Sequence, residues 1–302
     1  MSAGEATSQD FPTKPVRIIV ANPAGSTPDI LARHMIPELS RLLGQPVYVE
    51  AKPGADQRIA AQYVAKFVQP DGYTLALLGV SPLASIPALV KNPGFDPLKD
   101  LVPITTLVSG RIFFATVATS PWRSFNEFVA YAQRHPGQLN YGAHNLSTRM
   151  RIEAVLREKK LDVVHIPYGS TTAIENALVA NQVQLIIASN GIAANKAVRV
   201  LAVSGNARFA RFPDVPTFVE LGLAALPGAE YSLSVTHGTP RPIFDLLQSA
   251  VAKTLQNPDL KSRVDQMDFE IVGDSPDAAA KNLAAQTDQV MEVAKRIGIR
   301  PE

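Results

Sequence analysis

The sequence predicts an α/β protein of two mainly parallel sheets flanked by helices. Three observations carry that prediction. Short β-rich runs alternate with longer helical segments along nearly the whole chain. About ten such runs in 302 residues suit two sheets better than one. A hydrophobic content of 46% is enough to fill real cores.

The elements follow in order. "VRIIV" (16–20) reads as a buried strand, and the helix after it carries Leu31, Met35, Leu39 and Leu42 on one stripe. "PVYVE" (46–50) is the second strand; "AKPGADQR" then leads into a helix whose stripe is Ile59, Tyr63 and Phe67. "YTLALLG" (73–79) is a third strand, introduced by the Asp71-Gly72 turn signal. "RIFFATVAT" (111–119) is a strand, and Ser124 to Glu127 form a capping box for a helix ending near His135-Pro136-Gly137. "QLNYGA" is a strand, "HNLST" a loop and 149–159 a helix. "LDVVHIPYG" (161–169) is another strand, with Thr172 to Glu175 capping the next helix. "VQLIIAS" and "VRVLAVSG" are further strands, and Thr217 to Glu220 form a third capping box. Beyond the Pro- and Gly-rich stretch 227–242, helices are expected at 242–256, 259–267 and 277–297, with "FEIVG" (269–273) as a strand among them.

Composition narrows the function. Net charge is +2, from 29 basic and 27 acidic residues with no long basic block, so nothing favours a nucleic-acid partner. The absence of cysteine removes disulfides, thiolate catalysis and Cys-ligated zinc. No run approaches the ~18–20 apolar residues a membrane helix needs. "MSAGEATSQD" has no apolar signal-peptide core. The protein is therefore cytosolic, or an initiating Met stands where a leader has been removed.

The strand-to-helix loops carry the chemistry. In "VANPAGSTPDILAR" (20–33), Thr27 suits an N-cap, Pro28 the first helical position and Asp29 the first turn. Pro23, Ala24, Gly25 and Ser26 let backbone donors approach whatever lies above the strand end, which makes an anion site at a helix start. The same loop also reads as a well-made helix cap and nothing more. Similar small or hydroxyl-rich turns recur at Gly79-Val80-Ser81, Asn145-Leu146-Ser147-Thr148, Gly169-Ser170-Thr171-Thr172 and Ser189-Asn190-Gly191. In open α/β sheets ligands bind beyond the carboxyl ends of strands, so this set suits a small carboxylate. Arg58, Arg149 and Arg151 sit at helix starts, where a cation opposes the dipole. They read either as forks for a second carboxylate or as partners of Asp56 and Glu153.

Catalysis finds little support. The five histidines show no HExxH or His-x-His spacing, there is no GxSxG elbow, and no phosphate-binding glycine motif occurs. His165 reads as a core residue, His144 as a cleft-loop residue able to touch a ligand, and Trp122 as a packing anchor. No enzyme activity, cofactor or metal is expected.

Several stretches together carry a resemblance: "FPTKPVRIIVANPAG" with Asp29 and Arg33, "LGQPVYVEAKPGA", "PDGYTLALLG", "FDPLKDLVPITTLV", "LDVVHIPYGS", "RFARFPDVPTFVELGL" and "GTPRPIFDLLQSAVAKTL". Over residues 11–300 the chain resembles the tripartite tricarboxylate transporter substrate-binding proteins, the Bug or TctC-like family of extracytoplasmic receptors. The resemblance implies a two-lobed, type II periplasmic-binding-protein-like fold with crossing strands and a ligand cleft between the lobes. Carried onto this chain, lobe 1 is 11–112 plus 227–302, lobe 2 is 113–226, and 1–10 is a disordered tip.

In such a receptor one carboxylate is held by loop amides, small hydroxyls and bridging waters. Here those positions are Ala24, Gly25, Ser26, Thr27 and Ser81, faced by Ser147, Thr148, Gly169, Ser170 and Thr171. Asp29, Arg58, His144, Arg149, Ser189 and Asn190 complete the expected site. The implied protein is a periplasmic monomer that closes like jaws on a small organic acid and presents it to a membrane permease or a sensor kinase. A neutral, amide-type ligand such as a nicotinamide-like compound, and a hydrolase or isomerase on the same scaffold, are the alternatives. The chain departs from the family pattern where Ser26 and the pair Asp56-Gln57 replace glycines, and where Arg58 stands in place of an asparagine.

Overall fold

A computed structural model describes residues 11–188, 193, 195–205, 207–223, 226, 228–296 and 298–301. The elements in chain order are β1 (Val16–Val20), α1 (Thr27–Leu43), β2 (Val47–Ala51), α2 (Arg58–Phe67), β3 (Thr74–Gly79), α3 (Val80–Leu89), β4 (Leu101–Gly110) and β5 (Phe113–Val117). They continue with α4 (Phe125–Arg134), β6 (Asn140–Ala143), α5 (Leu146–Glu158), β7 (Val164–Pro167), α6 (Thr171–Val179), β8 (Leu185–Ala188) and β9 (Val198–Val203). The last are β10 (Ala229–Thr236), α7 (Arg241–Leu255), α8 (Pro258–Gln266), β11 (Phe269–Ile271) and α9 (Pro276–Arg296). By its contacts the chain divides into two compact units. The first holds the described residues within Met1–Ser109, Glu230–Gln289 and Pro301–Glu302, and the second those within Gly110–Ala229 and Val290–Arg300.

The first unit is organised by a six-stranded sheet in the order β11-β4-β10-β3-β1-β2. β1 runs parallel to both β2 and β3, while β10 is antiparallel to β3. Because strand side chains alternate between faces, one strand feeds two cores. Ile18 and Val20 pack with α1 and α7 on one side, and Ile19 packs with α2 and α3 on the other. Leu77 and Leu78 of β3 divide in the same way.

The second unit has a five-stranded sheet, β7-β6-β8-β5-β9. β6 is parallel to β7 and β8, whereas β5 is antiparallel to β8 and β9. Phe114 enters an aromatic core with Phe125, Phe128, Tyr141 and Phe218, and Phe113 enters the opposite one. Trp122 is an anchor of the first, packed edge-on to Phe128 and 4.9 Å from the Tyr131 ring. Both sheets are therefore mixed, with β10 antiparallel to β3 in the first and β5 antiparallel to β8 and β9 in the second.

Several sequence expectations are corrected. The α2 stripe is inverted: Ile59 is 50% and Phe67 71% exposed, while Ala60, Ala61, Val64 and Ala65 face the sheet. Alanines let a helix backbone settle close to the strands, and Tyr63 instead lies under Lys52 at 4.4 Å and Arg17 at 5.5 Å. On α1, Leu43 rather than Leu42 is the fully buried end of the stripe. β4 and β10 are further strands, in stretches to which the periodicity assigns no element. Pro103, Thr105, Thr106 and Ser109 dilute the apolar signal of the first, and Ser232 and Ser234 alternate with Leu233 and Val235 in the second. The Thr217 box forms reciprocally, yet only a turn follows it.

Candidate functional site

Within the first unit, Val20 of β1 is in register with Ala51 of β2 and with Leu77 of β3. The loops after these strands therefore emerge at one edge of the sheet. The β1–α1 loop is shaped by its own acid. Asp29 is buried, accepts the Gly25 amide at 2.9 Å, and is gripped by Arg33 through Nε at 2.9 Å and Nη2 at 3.1 Å. Hydrogen bonding from Arg33 and Gly25 holds its carboxyl below the usual aspartate range. Gly25 stands at φ +81°, a conformation that favours glycine. Asp29 thus organises the loop from within.

The cap of α1 is Ser26 rather than Thr27, one residue earlier than expected. Its side chain makes no capping bond, and its Oγ is buried without a hydrogen-bond partner among the described residues. The nearby Asn22 Oδ1 is in the same condition. A 17-residue helix therefore begins with no side-chain cap on its free amides, beside an unpartnered hydroxyl. Ala24 is exposed and Thr27 half-buried at this edge.

The other loops of this edge are tied down. Gly54, Ala55, Asp56 and Gln57 all have positive φ, at 126°, 47°, 48° and 73°. Gln57 is buried and its Oε1 accepts the Gly79 amide at 2.7 Å, joining this strained turn to the start of α3. Arg58 is the half-buried first residue of α2. Ser81 is buried and donates its hydroxyl proton to Gln286 Oε1 at 2.9 Å. A hydroxyl has one proton, so Ser81 can offer a further group only its lone pairs.

In the second unit, Ala143 of β6 is paired with Pro167 of β7, which sets the starts of α5 and α6 at one sheet edge. The loop expected at 144–148 is shorter: α5 begins at Leu146, and Asn145 caps it by accepting the Thr148 amide at 2.8 Å. Ser147 and Thr148 therefore lie in the first turn, with Ser147 buried. α6 is capped by Ser170, which accepts the Ala173 amide at 3.2 Å, two residues ahead of the expected Thr172. Gly169 and Ser170 are exposed and Thr171 half-buried. Ser189 and Asn190 lie outside the described residues.

Arg149 falls in the second turn of α5 instead of the first, away from the dipole's end. It pairs with Glu153 at 3.6 Å, and Glu153 also meets Arg157 at 3.6 Å and accepts the Tyr141 hydroxyl at 2.6 Å. Burial and this acid push the Tyr141 phenol up. Arg149 is thus only loosely paired with its helix neighbour, and its buried Nε has no hydrogen-bond partner among the described residues. His165 is half-buried, and its Nε2 has no partner among the described residues. Desolvation and Arg149 hold its imidazole below the usual range. His144, though exposed, is also lowered by desolvation, and its Nε2 lies 3.0 Å from Asn145 Nδ2.

Among the described residues no cluster of histidines and acids forms a metal site, and no helix is long and apolar enough to cross a membrane. Sequence reasoning passed over Gln57, Asn145 and Gln286 as organisers. The capping asparagine was visible as an Asn three residues before its target. Gln286 lies 205 residues from Ser81, and nothing local announces it.

Comparison with known proteins points one way. The model of the tripartite tricarboxylate transporter family receptor matches residues 31–299. A UPF0065 protein of Bordetella bronchiseptica is 34% identical over 310 residues, covering 100% of this chain and 91% of that protein. Among solved structures, periplasmic binding protein BugD is 25% identical with a TM-score of 0.83, covering 97% of this chain and 100% of its own. Rpa4515 of R. palustris with adipate is 26% identical with a TM-score of 0.84, over 97% of this chain and 100% of that one. MatC of Rhodopseudomonas palustris with bound malate is 26% identical with a TM-score of 0.81, over 94% and 100%.

Proposed function

Since the chain belongs to the tripartite tricarboxylate transporter receptor family, we propose that it is a periplasmic solute-binding protein that captures a small organic carboxylate. The ligand is a di- or tricarboxylate, or an aromatic carboxylate. Its two units close on it and deliver it to a tripartite tricarboxylate-type permease.

The observation that carries this reading is the start of α1: an uncapped helix N-terminus with the Ser26 hydroxyl buried and unpartnered beside it. A carboxylate oxygen satisfies both demands, since it accepts from free amides and from a hydroxyl, and the helix dipole favours its charge. The capped starts of α5 and α6 in the second unit carry further donors, with the Ser170 proton still available because its oxygen acts as acceptor in the cap. Adipate and malate, held by two of the similar proteins, are both dicarboxylates. Closure excludes water from these bonds, which strengthens them. Charge-assisted hydrogen bonds contribute about 1.5–3 kcal/mol each, and micromolar binding needs about 8 kcal/mol. Three or four such bonds reach that scale. The reading asks no chemistry of the chain beyond capture, and it takes the protein to be a monomer.

The test is calorimetric titration with malate, adipate, citrate and benzoate, each beside its neutral amide analogue. Micromolar heat with at least one acid, lost in Ser26→Ala, is the expected result. A folded sample that ignores every acid, or that binds the amides equally well, overturns the reading.

A further inference from the structure

Apart from its last residues, the chain passes between its two compact units three times, at 109/110, 229/230 and 289/290. One carboxylate gathers side chains at or near all three. Glu230 Oε2 accepts from Gln286 Nε2 at 2.7 Å and from Asn282 Nδ2 at 2.8 Å, and its Oε1 meets the Ser109 hydroxyl at 3.5 Å. Gln286 Nε2 also reaches Asn282 Oδ1 at 3.1 Å. Ser109 and Glu230 are the last and first residues of the first unit at two of the crossings, and Gln286 is less than one helical turn before the third.

We infer that Glu230 is a hinge clasp: it holds the three crossing segments as one block and, through Gln286, sets the hydrogen-bonding role of Ser81. An ionised carboxylate only accepts, so Gln286 must turn its amide nitrogen toward Glu230 and its carbonyl toward Ser81. Ser81 must then donate to Gln286. The carboxylate at the crossings thereby fixes which part of Ser81 is offered at the loop edge of β3. The inference rests on the closure reading above, because a clasp at the crossings governs affinity only if the units move on binding. Glu230 acts through other residues and is a positioning residue.

Hydrogen exchange of the unliganded protein, compared between wild type, Glu230→Gln and Glu230→Ala, tests the clasp without any ligand. The Ala variant should speed exchange at 105–112, 228–233 and 283–291 together, by roughly tenfold. The isosteric Gln variant should do so less, because it keeps one acceptor oxygen. Adipate and malate titrations of the same folded variants should show roughly tenfold weaker binding for Ala at unchanged stoichiometry. If the Ala variant does not fold, Asn282→Ala serves in its place. Faster exchange confined to the segment around 230, or unchanged affinity in a folded variant with loosened crossings, overturns the inference. A wild type that binds no carboxylate overturns the proposed function instead, and the exchange pattern then decides the clasp alone.

Discussion

The Gly25 amide donates to the Asp29 carboxylate at 2.9 Å, so in this structure it serves the loop's own acid. The bond closes the β1–α1 loop around its own acid, with Arg33 completing the grip.

Asp29→Ala should therefore destabilise the protein by about 1.5–3 kcal/mol, the scale for a hydrogen bond to a charged group. Urea denaturation measures it. Asp29→Asn keeps an acceptor for Gly25 and loses only the charge, so its deficit should be smaller. The carboxyl is held below its ordinary pKa. Its contribution is then complete above the unfolded aspartate value near 4 and fades as pH falls through the lowered folded value. The stability gap between wild type and Asp29→Asn should close on acidification below about pH 4 and stay constant from pH 6 to 8.

Strain at 54–57 predicts a gain and a loss at neighbouring positions. Ala55 holds φ +47°, which costs a residue with a Cβ about 1–2 kcal/mol. Ala55→Gly relieves that and gives back about 0.5–1 kcal/mol of backbone entropy, so thermal unfolding should shift upward modestly or hold level. Gln57→Ala leaves the buried Gly79 amide without its acceptor and should cost about 1–3 kcal/mol. A Gln57→Ala protein as stable as wild type would show that Gly79 finds another partner.

His165 should give the protein a stability slope on the acid side. Desolvation and Arg149 hold its folded pKa below the ordinary histidine value. Above about pH 6.5 both states are neutral there and nothing is lost. Below it the unfolded chain takes up a proton first, so stability falls with pH until the folded imidazole protonates too. His165→Gln should flatten chemical-denaturation stability between pH 6.5 and 5 relative to wild type. His34 and His144 are lowered as well, so the slope should shrink without vanishing.

Much of the fold was legible because its signals are local. The buried runs of β1 and β3, the Ser124 cap and the helices α7, α8 and α9 each announce themselves within a few residues. β4 and β10 were hidden because a central strand at a crossing point carries hydroxyls and a proline where the apolar reading expects aliphatics. The α2 stripe misled because large apolar side chains outweigh alanine in any hydrophobic pattern, whereas close packing prefers alanine. At the site, residue types were readable and their commitments were not. Whether Asp29 faces a ligand or Gly25, and whether Ser81 keeps its proton, is decided by partners that spacing alone does not name.

The cap of α5 offers a variant that separates stability from binding. Asn145 accepts the Thr148 amide at 2.8 Å, and aspartate caps a helix as well as asparagine does. Asn145→Asp should therefore leave stability within about 0.5 kcal/mol of wild type, with the helix dipole helping the new charge. The same charge sits at the start of a helix proposed to receive a carboxylate. Repulsion there should weaken binding of the best acid by tenfold or more at low salt, with part of the loss recovered as salt screens it. A neutral amide analogue should feel little of this. His144, whose ring lies 3.0 Å from the Asn145 amide nitrogen, should titrate at higher pH beside the new acid, and proton NMR reads that directly. Unchanged acid affinity together with a raised His144 pKa would place the ligand away from α5.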